Sequence, residues 1–468
     1  MKLYERININ LILIPILFIY LVEYIFLSSQ DFKGIFFPTW MNVTVFFVVS
    51  VSFFLKYRGS NLFCFELMFL PVYFVGMFYD DMLSFMWDYA DYLSLIGDAR
   101  YVTKSAIIQM IAFLCFMMGA VIANKKSNPE SKAWNNYFIF GDTINLKKAT
   151  VFLTVLLVMV VFNIYITGGF ATWNKYQFSE YSGADEYQGL GHITILTTLL
   201  SILEYVRLSK QGVHKFSSFI RESNKVYIII TLSVSALIIY TGKRSAALLV
   251  LLPVIISYIL FIKKISNRKV LLMVLLGGLL MIVAGLSRNT GSMEGQVIDL
   301  ASSTRDFSMT NVDCTYLIKY TDEHGLYLFR SLIPNFLSGI PVIGPIMVSV
   351  FFSGPSRGSS IICTEGLGGP FSQSGWGTSI VGDLYYNGGF LFVVVYMLFI
   401  GWLMSYLYNK FSIKKEFNAF LLVVYVVMTA NAVFSYRSAF DFIYGTIIYA
   451  TFCLYVTKLL FSKRNHVK

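Results

Sequence analysis

The chain has 468 residues, 56% of them hydrophobic and only 13% charged, with a formal net charge of +11. Such a composition excludes a soluble globule. The positive charge is not accompanied by a nucleic-acid motif, so nucleic acid is not an expected partner.

Apolar runs recur along the whole chain, each long enough to cross a hydrocarbon core of about 30 Å as a helix. Twelve are expected: 9–27, 40–55, 62–79, 105–123, 149–166, 193–208, 226–240, 245–262, 270–286, 388–408, 417–436 and 442–460. They are continuous rather than alternating, which argues against a β-barrel. The first offers no small-residue cleavage site after it and is expected to stay as a span. With the N-terminus inside and the connections alternating, 25 of the 37 Lys and Arg fall on one side. That bias predicts cytoplasmic termini in a plasma membrane, with the inner face held against anionic lipid. The chain divides accordingly into helices one to nine (1–286), one large outer loop (287–378) and helices ten to twelve (379–468).

The connections differ in character. Residues 80–104 are acidic and aromatic and suit a helix at the interface or a cover over a groove. Residues 167–192 carry Trp173, Tyr176 and His192. Aromatic faces beside polar groups suit sugar rings, and they equally suit an interfacial aromatic belt. The turn Tyr240-Thr241-Gly242-Lys243-Arg244-Ser245 puts two cations beside a helix N-terminus, where an anion would also meet free backbone N–H groups. Lipid phosphate is the alternative ligand.

The large loop has three parts. Residues 295–324 read as a helix ending at Gly325, with Asp299, Asp306 and Asp313 on one face. Residues 326–352 are apolar but broken by Pro334, Pro341 and Pro345, and suit re-entrant or interfacial helices. Residues 353–378 are Gly/Ser-rich, contain Trp376, a further candidate for stacking on sugar, and suit a mobile lid. Cys314 and Cys363 both fall in this loop and are a disulfide candidate in an oxidising compartment, or two buried thiols. In the last outer turn Arg437 is four residues from Asp441 and suits a local ion pair.

No Walker A sequence, His-Glu-x-x-His or Gly-x-Ser-x-Gly motif is present, and no metal or cofactor is expected. What remains is a set of outer-face cations: Lys243, Arg244, Arg288, Arg305, Arg330, Arg357 and Arg437. Arginine binds phosphate through a two-pronged fork without a metal, so such a set suits a lipid-linked diphosphate. A glycosyl transfer from that donor needs a base for the acceptor hydroxyl, with His324 or a loop carboxylate such as Asp313 as candidates.

Three stretches carry a resemblance. Thr241-Gly242-Lys243-Arg244-Ser245-Ala246-Ala247-Leu248, Leu332-Ile333-Pro334, and the segment from Ser379 to Gly389 are similar to elements of the Wzy-type O-antigen polymerases, or oligosaccharide repeat-unit polymerases, and of the related O-antigen ligases. The resemblance implies an all-α, GT-C-like membrane glycosyltransferase of about twelve spans. It implies undecaprenyl-diphosphate-linked oligosaccharide as substrate and a chain-length regulator as partner. Arg244 would then hold a diphosphate, and the loop arginines donor and acceptor. Arg330 reaches Gly339 after eight residues, where some members place ten. A ligase, for which His324 would be the base, and a lipid-linked oligosaccharide flippase remain the other expectations.

Overall fold

The computed structural model describes residues 9–28, 39–58, 63–84, 96, 98–124, 144–167, 188–240, 244–263, 265–270, 272–273, 276–277, 300–330, 332–338, 340, 343–351, 358–367, 377–413, 418–440 and 442–462. Among these residues there is no strand beyond one isolated bridge between Ile144 and Ser462. The helices are α1 (Ile9–Ser28), α2 (Thr39–Phe53), α3 (Phe65–Ser84), α4 (Ala99–Asn124), α5 (Leu146–Ile166), α6 (Gln188–Lys210), α7 (Phe216–Glu222), α8 (Lys225–Tyr240) and α9 (Arg244–Phe261). There follow α10 (Leu300–His324), α11 (Leu332–Ser338), α12 (Ile343–Phe351), α13 (Ser359–Gly366), α14 (Ile380–Tyr408), α15 (Ala419–Ser435) and α16 (Phe442–Phe461).

Six of these helices are long and apolar enough to cross a membrane, or seven if α7 and α8, bent by 101°, form one span. Three more apolar helices are shorter. The protein is therefore all-helical and multi-pass. The expected run 270–286 lies mostly outside the described residues. Apolar side chains such as Leu11, Phe18, Met159 and Phe162 remain exposed on α1 and α5, as lipid-facing surfaces require.

The bundle is organised on α4, which packs against α1 and α14. At the α4–α14 crossing a Cβ on Gly119 would stand 2.0 Å from the Leu398 carbonyl oxygen. One on Gly401 would stand 2.0 Å from that of Phe116. Two glycines let the backbones touch, the usual way to gain packing where no hydrophobic force separates helix from lipid.

One end of the bundle holds a closed charge cluster. After α2 the chain tightens into a π-turn, Phe54–Arg58, which brings Arg58 inside, although a cation at the end of an apolar run ordinarily anchors at the surface. Its guanidinium donates to Glu66 Oε1 at 2.7 Å, Asn124 Oδ1 at 3.0 Å and Ser405 Oγ at 3.0 Å. It also lies 4.0 Å over the Tyr408 ring. Both charged side chains are 0% exposed. Four elements are thus tied at one point: the turn after α2, then α3, α4 and α14.

Candidate functional site

At the other end, α10 lies across α3, α4 and α14. It stops where expected, with Gly325 at φ 89°. The next residues do something the sequence did not announce. Leu328 and Phe329 both adopt left-handed backbone, φ 56° and 60°, at roughly 1–3 kcal/mol each. Their turn is held by two hydrogen bonds, Tyr327 N to Tyr386 O at 2.9 Å and Leu328 N to Asn387 O at 3.2 Å. Those carbonyls are available because α14 leaves helical geometry at Gly389, φ 69° and ψ −168°. An amide missing from the helix is replaced by one from the loop.

This break also corrects the expected start of the tenth span. The helix begins at Ile380, not at 388, with the Ser379 side chain as its N-cap. Residues from Ile380 to Asn387 are buried. Asp383 looked like a loop residue, but its carboxylate accepts from Phe440 N at 2.9 Å and from Asn387 Nδ2 at 3.2 Å. Ile380 N donates to Tyr436 O at 3.0 Å. The start of α14 is thereby bound to the α15–α16 turn, which carries Arg437.

Asp313 lies within electrostatic reach of Arg437 there. Asp313 is 1% exposed, and among the described residues its Oδ1 has no hydrogen-bond partner. Burial raises its carboxyl to about 8, and the facing charge of Arg437 draws it partly back. Arg437 lies against Gly377, where a Cβ would stand 2.9 Å from its Nε. Its exposed head remains accessible. The expected partner, Asp441, lies outside the described residues.

A buried amide ties α10 to the α15–α16 turn. Gln109 of α4 donates to Asn311 Oδ1 at 2.8 Å and to Ser105 Oγ at 3.0 Å. Its own oxygen accepts from the Tyr436 hydroxyl, and its backbone carbonyl from Tyr73 at 2.6 Å. Asn311 is two residues from Asp313, and Tyr436 adjoins Arg437. A lone amide inside the run 105–123 is the signal that could have found it.

Other expected site residues lie elsewhere. His324 is exposed, stacked on Tyr320 at 4.1 Å between ring centroids, and three helical turns from Asp313. Arg330 lies 6.0 Å over the Tyr327 ring. The side chains of Arg244 and Arg305 are outside the described residues, as are Lys243, Arg288, Arg357, Trp173, Tyr176 and Trp376. So are Asp299 and the side chain of Asp306, and Asp313 itself is buried rather than on a solvated face.

Two expectations for the loop are corrected. Cys314 and Cys363 are free buried thiols rather than a disulfide. Cys314 faces Ser105, Ser379 and the backbone of Gly382, with its thiol pushed up to about 11 by burial. Cys363 instead points its thiol at the Asp313 carbonyl, 3.9 Å away, and burial raises it well above its usual value. The Gly/Ser-rich stretch is not uniformly a lid. Its described part forms α13, with Ser359, Ile362 and Cys363 buried, and Thr378 donates to Ser359 Oγ at 2.9 Å. The broken apolar stretch does give two short helices, α11 and α12, which expose Ile333, Phe336, Ile343, Ile346 and Val350.

Among the described residues no three His, Cys, Asp or Glu side chains gather into a metal-sized group. The architecture is that of a multi-pass helical membrane protein with a buried acid in the field of an arginine at one end. Compared with known proteins, the chain matches no family model, no curated protein and no solved structure.

Proposed function

We propose that the protein is a membrane glycosyltransferase of the oligosaccharide repeat-unit polymerase kind, with a GT-C-like arrangement of about twelve spans. Its termini lie in the cytoplasm, and α10 with the Asp313–Arg437 pair faces the periplasm. It joins undecaprenyl-diphosphate-linked repeat units at the outer face of the inner membrane, and a chain-length regulator is the expected protein partner. The observation that carries this reading is Asp313, a buried carboxyl raised to about 8 whose Oδ1 lacks a hydrogen bond, within the field of the exposed Arg437 guanidinium.

The chemistry follows from that pair. The acceptor sugar hydroxyl supplies the hydrogen bond that Oδ1 lacks and gives its proton to the carboxylate. Its oxygen forms a bond to the anomeric carbon of the donor. The bond from that carbon to the diphosphate oxygen breaks, and the lipid diphosphate leaves. Arg437 offsets the charge that develops on the leaving group. Arg244, at the first position of α9, is a second diphosphate cation by its place at a helix N-terminus.

The test is a gel of surface lipopolysaccharide from a strain deleted for the gene. Core carrying a single repeat unit supports the polymerase. An unchanged ladder overturns it. Bare core also overturns it, in favour of a ligase if lipid-linked polymer accumulates and a flippase if it does not.

A further inference from the structure

The C-terminal part of α10 and the turn after it carry a run of rings that the transfer step does not use. Tyr320 and His324 stack at 4.1 Å with 13° between planes. Tyr327 and Tyr386 stack at 4.9 Å with 12° between planes. Tyr320 meets Tyr386 edge-on at 6.1 Å, which joins the two pairs. Arg330 closes one end, 6.0 Å over Tyr327. Tyr386 is buried and anchors the group, while His324 and Arg330 are exposed and Tyr320 and Tyr327 half-buried.

We propose that these rings form a shelf that binds the pyranose rings of an oligosaccharide, so that a sugar chain is held along α10 while one end reacts at Asp313. For the identity of the oligosaccharide this rests on the polymerase reading; the shelf itself stands on its own geometry.

Three observations carry it. The first is chemistry. A sugar presents C–H on one face and hydroxyls around its rim, which suits a stack of aromatic faces edged by hydrogen-bonding groups. His324 Nδ1 lies 3.0 Å from the Tyr320 carbonyl oxygen. Against a carbonyl that nitrogen carries the proton and donates. Nε2, on the exposed ring, is then an acceptor for a sugar hydroxyl. Arg330 offers its donors at the other end.

The second is placement. Asp313, Tyr320 and His324 are spaced by seven and four, so they share one face of α10. Eleven residues of helix put His324 roughly 16 Å along that face from the acid. The shelf lies on the same face of α10 as the acid and extends away from it, as a site for sugars already joined must.

The third is the backbone. The turn that presents Tyr327 and Arg330 contains the two left-handed residues Leu328 and Phe329. It is held by bonds to the carbonyls freed at the break in α14. Strain of this kind is kept where a side chain must be aimed.

The test uses the full-length protein in lipid nanodiscs. The probe is soluble oligosaccharide released by mild acid from the surface polysaccharide of the producing strain. Saturation-transfer NMR reads the binding. The wild type should bind, and His324→Ala and Tyr327→Ala should each weaken binding by roughly five- to tenfold, the size expected for loss of one ring contact. Tyr327→Phe should bind within a factor of about two of wild type, since the ring face is kept. His324 is exposed, so His324→Ala removes no buried support; Tyr327→Ala takes a ring off buried Tyr386, and thermal unfolding of that variant separates lost binding from lost packing. Absence of binding by wild type, or alanine variants that bind as wild type does, overturns the shelf and leaves the rings as an aromatic belt in the headgroup layer. Failure of the polymerase reading shows separately, in the lipopolysaccharide gel of the deletion strain.

Discussion

Two of the buried ionisable sites lie at opposite ends of one bundle and differ in what can reach them. Arg58 and Glu66 are both fully enclosed, bonded to each other at 2.7 Å and to two further side chains. Asp313 is as deeply buried and its Oδ1 has no hydrogen bond, but the cation whose charge reaches it, Arg437, keeps an exposed head. Arg58 Nε and Glu66 Oε2 also lack a partner among the described residues, but both side chains are sealed at 0% exposure, so the pair ties helices together out of a ligand's reach. The open site keeps an unmet bond and a carboxyl near 8, the state in which an acid can accept a proton at neutral pH.

The sharpest test of this contrast is to neutralise each acid. Asp313→Asn should cut polymerisation by about 10²- to 10⁴-fold, the usual worth of a general base, with the protein still present in the membrane. A wild-type ladder from that variant would remove Asp313 from the chemistry. At the closed end the pattern should reverse. Arg58→Ala should cost about 3–5 kcal/mol of stability, because it leaves Glu66 buried and unpaired. Thermal unfolding in detergent reads this loss. The double variant Arg58→Met with Glu66→Leu should recover most of it; a double variant no better than the single one would mean that the pair does more than join helices.

Gln109 tests whether the open end depends on being aimed. Its amide reaches both Asn311 and Tyr436, the neighbours of the acid and the cation. Gln109→Leu removes a hydrogen bond from each of three buried polar groups, Asn311, Ser105 and Tyr436, at up to about 1–3 kcal/mol each. If that strain is released by movement of α10 or of the α15–α16 turn, kcat should fall roughly ten- to a hundredfold with KM little changed. Loss of thermal stability with normal kcat in the surviving protein would make Gln109 a packing residue only.

Much of this was legible in the sequence, for stated reasons. Continuous apolar runs marked the membrane helices, Gly325 marked the end of α10, and the prolines marked the two short helices. Asp313 and Arg437 were both visible as candidates, but not as a pair, because nothing local links a loop helix to a turn so far along the chain. Arg58 was misread since a cation at the end of an apolar run normally anchors at the surface; only the π-turn carries it inside. The start of α14 was hidden because Asp383, Asn387 and two glycines look like loop. The Asp383 carboxylate is instead bonded by Asn387 Nδ2 and Phe440 N, and the carbonyls of Tyr386 and Asn387 by the Tyr327 turn, with Asn387 Oδ1 left unbonded among the described residues. The shelf was invisible because it depends on a helix break that residue types alone do not announce.

The smallest expected effect is also the most specific. Burial raises the Asp313 carboxyl to about 8 and Arg437 pulls it down, so removing that charge should move it further up. The sign for activity is direct. The base works ionised, so kcat/KM should rise with pH through about 8 and flatten above it. In Arg437→Gln the same limb should move up by about one pH unit, which at neutral pH is roughly a tenfold loss from ionisation alone. The sign for stability is opposite. A carboxyl whose folded pKa lies above its unfolded value of about 3.9 favours the folded state while it is protonated. That contribution is complete below about pH 4 and fades as the pH climbs to about 8, and the variant should extend the fading to higher pH. Rate profiles with lipid-linked substrate and thermal unfolding at pH 5.5 and 8.5 measure the two limbs independently. A rate limb near pH 4 to 5 in the wild type would mean that another acid accepts the proton. A limb near 8 that stays in place in Arg437→Gln would mean that the arginine does not act on this carboxyl.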